Sequence, residues 1–231
     1  MQVRLRQGSL TEGDEDVLVN ASNTGLKLGS GVSAAIRRAC GAEYQAYLDA
    51  ELARRGELAQ GDAIVTHAGA HPRAKAVIHV AVMDYRGGFT ARSFPSIDVV
   101  TCGARRTWEL AETLDLPHVR IAMVALGAGT GGLGVADSTQ VACETLRDHL
   151  ARTPDSRIAG VTFYGFTLVE HLAMAHVVSR FFPEALADIE PAQQAHIVIA
   201  VRHAQRTRIR NLVLHGCLRS LKELCLGRTP P

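Results

Sequence analysis

The chain has 231 residues, enough for one domain with an appendage and for a core that needs no disulfides. Its five cysteines are scattered without a C-x-x-C pair, no apolar run approaches the roughly 18 residues of a membrane helix, and no basic-then-apolar leader precedes the first strand; a soluble, reduced, cytoplasmic protein is expected, with no membrane partner. The net charge of +2 conceals an asymmetry, because 18 basic residues meet 22 acidic ones up to position 190, whereas seven meet one beyond it.

In chain order, residues 3–6 alternate and are read as an opening strand, and the apolar run 16–20 as a buried one. A helix is expected from Ser30 or Gly31 to near Gly41. A second spans 43–55, with Tyr44, Tyr47, Leu48 and Leu52 on one face and Gly56 as its stop. Residues 61–66 and 76–82 are read as strands. The spacing of Ile97, Val100, Ala104, Trp108 and Leu110 predicts a helix over 96–114. A strand over 119–126 leads to a helix capped by Asp137 or Ser138, with Val141, Leu146 and Leu150 on its face. Residues 161–164 form a last strand and 168–181 a last helix.

Strands alternating with helices predict a three-layer α/β domain around a largely parallel sheet. This domain is placed at 1–186 and a basic extension at 187–231, where the apolar run 197–201 precedes Arg202, Arg206, Arg208 and Arg210, and 212–226 has amphipathic helical spacing. Such a tail either meets nucleic acid or an acidic partner, or is a solvated appendage; both readings stay open.

Two glycine-rich loops each follow a strand and precede a helix: 25–32, containing Gly29, Ser30, Gly31 and Val32, and 127–134, containing Gly127, Ala128, Gly129, Thr130, Gly131 and Gly132. Glycine lets a backbone approach a ligand closely, and a helix N-terminus offers unpaired N–H groups and partial positive charge. Two such loops closing on one ligand suggest a diphosphate held from both sides; the plainer reading is a pair of tight turns. The second loop matches G-x-G-x-x-G, but it lies past mid-chain, and Asp148, about 20 positions on, falls within an expected helix rather than at a strand end. No G-K-[ST] follows either loop, so a Walker site fails as well.

The segment 16–23, ending Val19-Asn20-Ala21-Ser22-Asn23, followed by Gly29-Ser30-Gly31-Val32 and Ala35-Ile36, resembles the macro domain pattern V-N-A-A-N then G-G-G-V-x-x-A-I. Gly61-Asp62-Ala63, Val77-Ile78-His79, 125–129 and 161–163 match in order, so the resemblance covers roughly residues 1–185. It implies a three-layer α/β/α macro-domain sandwich with a mixed central sheet. The implied partner is ADP-ribose or an ADP-ribosylated protein, with no cofactor and no metal. By the same resemblance the two glycine loops hold the diphosphate. Asn23 hydrogen-bonds the proximal ribose and positions water, its amide both donating and accepting; the alternative is an amide that only caps its loop. Phe166 stacks on adenine, or is an ordinary core phenylalanine.

Three departures qualify the resemblance. The family's G-D-I appears as Gly8-Ser9-Leu10, so Ser9 replaces the carboxylate that accepts from adenine, and weaker adenine selection is expected. Leu133 stands where many members place an aromatic over the ribose. Ser33, ten positions after Asn23, replaces an aspartate that helps activate water in one hydrolase branch. The function implied is binding of ADP-ribose with hydrolysis of mono-ADP-ribosyl or O-acetyl-ADP-ribose esters. The alternatives are a non-catalytic ADP-ribose reader and, behind it, an RNA-binding macro domain aided by the tail arginines. His67 and His71, and His171 and His176, lack the context of a zinc site. Cys40 and Cys143 fall on apolar helix faces, and Arg37 and Arg38 lie near the first loop.

Overall fold

In the computed structural model the described residues are 1–88, 90–187, 189, 191–192 and 194–195, and contacts divide the chain into units 1–189 and 190–231. The tail arginines, the segment 212–226, Cys217 and Cys225 lie outside the described residues. The first unit contains a six-stranded sheet: β1 (Gln2–Gln7), β2 (Val17–Asn23), β3 (Ala63–His67), β4 (Ala76–Met83), β5 (Val119–Met123) and β6 (Ile158–Gly165). Its order is β1-β6-β5-β2-β4-β3, parallel except where β3 runs against β4. The expected mixed sheet is therefore present. β4 is buried along its whole length, as a central strand covered on both faces must be.

Helices cover both faces. α1 (Gly31–Cys40) and α2 (Tyr44–Arg55) place Ile36, Cys40, Tyr44 and Leu48 against Leu18, Val77, Ala81 and Ala122. On the other face α3 (Ile97–Glu112) approaches so closely that Gly103 has no room for a Cβ beside Val80. α4 (Val135–Arg152) packs beside α3, and α5 (Leu168–Phe181) beside α4. The buried thiols behave as packing groups, since desolvation pushes both Cys40 and Cys143 up to about 12.

Boundaries differ from expectation by up to three residues: β2 continues to Asn23 rather than stopping at 20, β6 starts at Ile158 rather than 161, and two further differences frame the second loop. β5 ends at Met123, three residues early, because the Ala125 carbonyl turns to accept from the Ala128 N–H. α4 begins at Val135 behind Gly134, so neither Asp137 nor Ser138 caps it; the Ser138 hydroxyl instead donates to the Leu126 carbonyl (2.8 Å), tying the helix to the end of β5.

The connections decide where a ligand can sit. From β2 the chain leaves through α1 and α2 toward β4 and β3; from the neighbouring β5 it leaves through α4 toward β6, in the opposite direction. Adjacent strands with diverging crossovers open a crevice at their carboxyl ends, the topological switch point of an α/β sheet. Both glycine loops start there.

Candidate functional site

A cleft of about 1070 Å³ occupies this switch point. Ser9, Leu10, Asn23, Gly29, Ser30, Gly31, Val32 and Ser33 line it together with Gly127, Ala128, Gly129, Thr130, Gly131 and Phe166. Gly132 and Leu133 do not. The Leu133 N–H donates to the Gly127 carbonyl (3.1 Å) and its side chain turns onto Gly127.

The glycines divide by what they are needed for. A Cβ on Gly29 or Gly129 would meet nothing within 4 Å, so at these positions glycine keeps the cleft wall bare. Gly127, at φ +75°, would bring a Cβ 2.7 Å from Pro95 Cγ, and a Cβ on Gly131 would strike the Gly127 carbonyl. Here glycine serves the loop's own packing. The amides of Gly129, Thr130 and Gly131 have no hydrogen-bond partner among the described residues, and the first-turn amides of α1 are unpaired by helix geometry. Ser30 caps α1 without a side-chain bond, so its hydroxyl leaves those amides open. The cleft thus presents two sets of backbone donors.

Its basic side chains are mostly committed elsewhere. Lys27 Nζ lies 2.7 Å from Asp49, and Arg86 grips Asp84 with two bonds of 2.6 and 2.8 Å. The bonds from Arg86 hold the Asp84 carboxyl well below its ordinary value. Arg38 is the cleft-lining cation left exposed without a carboxylate among the described residues, whereas Arg37 does not line the cleft. Anion binding here rests on backbone dipoles more than on side-chain charge.

Asn23 ends β2 and folds its amide back over the loop it enters. Its Oδ1 accepts from the Gly25 and Lys27 N–H groups (both 3.1 Å), and its Nδ2 donates to the Lys27 carbonyl (2.8 Å). An amide oxygen has two lone pairs and both are used, so toward the cleft Asn23 has one Nδ2 hydrogen to give and nothing to accept with. The two-way contact expected from the sequence is corrected to a donor, and one side chain both caps the loop and lines the cleft. Within the same loop Leu26 sits at φ +48°, a conformation costing a non-glycine residue about 1–3 kcal/mol, and its fully buried side chain holds it there.

Ser33 is buried, and its hydroxyl donates to Asn20 Oδ1 (2.9 Å) and to the Ala21 carbonyl (3.2 Å). At the other end Ser9 caps a short turn, accepting from the Thr11 N–H and pairing with the Thr11 hydroxyl (2.8 Å). Phe166 is 72% exposed on the cleft's rim, which removes the core reading. Sequence reasoning missed Glu170 and Met174, which line the same end from the first turns of α5; their four-residue spacing was the available signal. His67 and His71 serve their own loops: His67 Nδ1 accepts from the Gly69 N–H, and His71 Nδ1 accepts from the Ala74 N–H (2.8 Å).

A model of the Macro domain matches residues 19–142, more than half of the chain and including both glycine loops. The chain belongs to the macro domain family. This macro domain is 33% identical over 156 residues to an O-acetyl-ADP-ribose deacetylase of Cronobacter turicensis, covering 68% of this chain and 85% of that protein. Its fold is shared with a Trypanosoma brucei macrodomain solved with ADP-ribose (TM-score 0.63, 24% identity, 77% of this chain and 69% of that one). It is shared as well with an Oceanobacillus iheyensis macrodomain mutant bound to ADPR (TM-score 0.64, 20% identity, 78% and 92%).

Proposed function

We propose that this macro domain binds ADP-ribose in the cleft and hydrolyses acyl esters on the proximal ribose, of the mono-ADP-ribosyl or O-acetyl kind. The observation that carries the reading is the meeting of two backbone-amide cradles, about a hundred residues apart in sequence, across one crevice at the switch point of the sheet. The relatives named O-acetyl-ADP-ribose deacetylase support the hydrolytic half. In this scheme the α1 amides and those of 129–131 hold the diphosphate, and Phe166 stacks on adenine beside Ser9 and Leu10. The remaining Nδ2 hydrogen of Asn23 donates to a ribose oxygen.

For an O-acyl ester, water adds to the acyl carbon, the ester C–O bond breaks, and the ribose oxygen takes a proton while the acyl group leaves as its acid. For a carboxylate linked at C1″, the C1″–O bond breaks as the ribose gains positive character beside the negative diphosphate that the amides hold in place, water adds to C1″, and the protein carboxylate leaves. The substrate's own phosphate accepts the proton that water gives up.

One observation favours a reader that binds without turnover: at position 33 a neutral hydroxyl stands where a carboxylate would act as base. Titration calorimetry with ADP-ribose, followed by product release from O-acetyl-ADP-ribose and from ADP-ribosylated glutamate, separates the two. Binding with release above an Asn23→Ala control is the expected outcome. Binding without release leaves the reader, and no binding at millimolar ADP-ribose defeats both.

A further inference from the structure

Behind the first loop a line of polar side chains crosses an otherwise apolar core from the cleft to the β3–β4 edge of the sheet. Ser33 Oγ donates to Asn20 Oδ1 (2.9 Å), and Asn20 Nδ2 lies 3.0 Å from His79 Nδ1, the two residues being directly paired on β2 and β4. His79 Nε2 is 3.0 Å from the Tyr44 hydroxyl and 3.2 Å from that of Thr66; these two hydroxyls are 2.7 Å apart, and Thr66 reaches the Val77 carbonyl at 3.5 Å. All five side chains are buried. Burial pushes His79 down to about 3, so near neutral pH it carries a single N–H.

Donors and acceptors in such a chain must alternate, and they then run one way. Asn20 turns its oxygen to Ser33 and its nitrogen to His79, which makes Nδ1 an acceptor and places the proton on Nε2. That proton goes to Tyr44, the phenol proton to Thr66, and the Thr66 proton to the Val77 carbonyl, where the chain ends on a group that can only accept. At the other end the one Ser33 proton is committed inward, to Asn20 Oδ1 with the Ala21 carbonyl as its second acceptor (3.2 Å). What Ser33 shows the cleft is its remaining lone-pair density.

We propose that Ser33 is a positioning residue that meets the cleft as a hydrogen-bond acceptor only, and that its polarity is set across the core by Tyr44 and Thr66. The group it takes is a donor, and on the hydrolytic reading above, on which this role rests, that donor is the attacking water. Ser33 aims the water without deprotonating it, so it acts neither as general base nor as nucleophile. Asn23 and Ser33 are then complementary: one has only a donor left for the cleft, the other only an acceptor.

The polarity is measurable on the full chain without any assay. In ¹⁵N NMR of histidine-labelled protein at pH 7, His79 is expected to be protonated at Nε2 and bare at Nδ1; a proton on Nδ1 would overturn the proposal. Tyr44→Phe keeps this tautomer, because the Thr66 hydroxyl still accepts. The double substitution Tyr44→Phe with Thr66→Val removes both acceptors, moves the proton to Nδ1 and turns Asn20 around, so that Asn20 Nδ2 occupies Ser33 lone-pair density while the Ser33 proton passes to the Ala21 carbonyl. In a variant shown by its spectrum to be folded, kcat for ester release should then fall about tenfold, the worth of one neutral hydrogen bond, with the Kd for ADP-ribose unchanged. Ser33→Ala should show the same split, and Ser33→Thr should restore kcat. An equal loss in kcat and Kd, or a shifted tautomer with unaltered kcat, counts against it. A wild type that binds ADP-ribose but releases nothing ends the hydrolytic reading and the water's role with it, while the tautomer still decides the polarity.

Discussion

Pro95 lies against Gly127 at the entry to the second loop, where a Cβ would fall 2.7 Å from Pro95 Cγ and 3.2 Å from Leu133 Cδ1. With φ at +75°, the position excludes a side chain on both steric and conformational grounds. Gly127→Ala is expected to lower stability by about 1–3 kcal/mol, read as a shift of the urea midpoint at constant slope. An unchanged midpoint would show that the loop yields more easily than this packing implies.

Gly129 sits two residues on and should behave in the opposite way. A Cβ there points into open cleft, so Gly129→Val should leave stability within about 0.5 kcal/mol of the parent. The valine occupies the space in which a phosphate would meet the 129–131 amides. ADP-ribose affinity should drop by at least tenfold in calorimetry, and undiminished binding would remove the second loop from the site.

Asn23→Ala breaks three hydrogen bonds that hold the 24–27 turn, so it is not a clean probe of chemistry. The Gly25 and Lys27 amides should lose protection in native-state hydrogen exchange, and Leu26 should relax from its left-handed conformation. Exchange rates unchanged at both amides would mean that the loop is held by the burial of Leu26 alone.

Ser9→Asp restores a carboxylate at the adenine end while keeping a side chain suited to capping the turn at Thr11. A charge-assisted bond is roughly twice as strong as a neutral one, so ADP-ribose should bind several-fold more tightly. Inosine diphosphate ribose, which lacks the amino group, should gain nothing. Equal gains for both ligands would place Ser9 away from the amino group.

Glu112 joins the end of α3 to α4 and to the turn before β6, accepting from His149 Nε2 (2.9 Å), from the Ser156 hydroxyl and from the Arg157 N–H (2.9 Å). Burial by itself would raise this carboxyl, but the three bonds outweigh it and hold it below the ordinary glutamate value. A depressed folded pKa contributes stability that is complete above the unfolded value near 4.3 and is lost as the pH falls through the folded one. Glu112→Gln should therefore cost about 1–3 kcal/mol at pH 7 and flatten the fall in stability below about pH 4. Urea midpoints for both proteins across pH 7 to 3 check the sign.

The strands, the five helices and the two glycine loops were legible because each rests on local periodicity or on turn chemistry: the final helix follows its apolar spacing from Leu168 to Phe181 to the residue. The start of α4 was not legible. Ser138 has the chemistry of a cap, and only the proximity of the Leu126 carbonyl diverts its hydroxyl to another task. Phe166 is similar, since its residue type fits core and rim equally well and exposure alone separates them.

What the sequence by itself determined is the family, the order of the elements and the two loops that meet a ligand, because these depend on residues close together in the chain. Tertiary structure alone decided which donors and acceptors remain for that ligand. Asn20 and His79 lie 59 residues apart and Ser33 and Thr66 stand on opposite sides of the same core, yet their hydrogen bonds share one line. Direction along such a line belongs to all its members at once, so no local stretch of sequence can specify it.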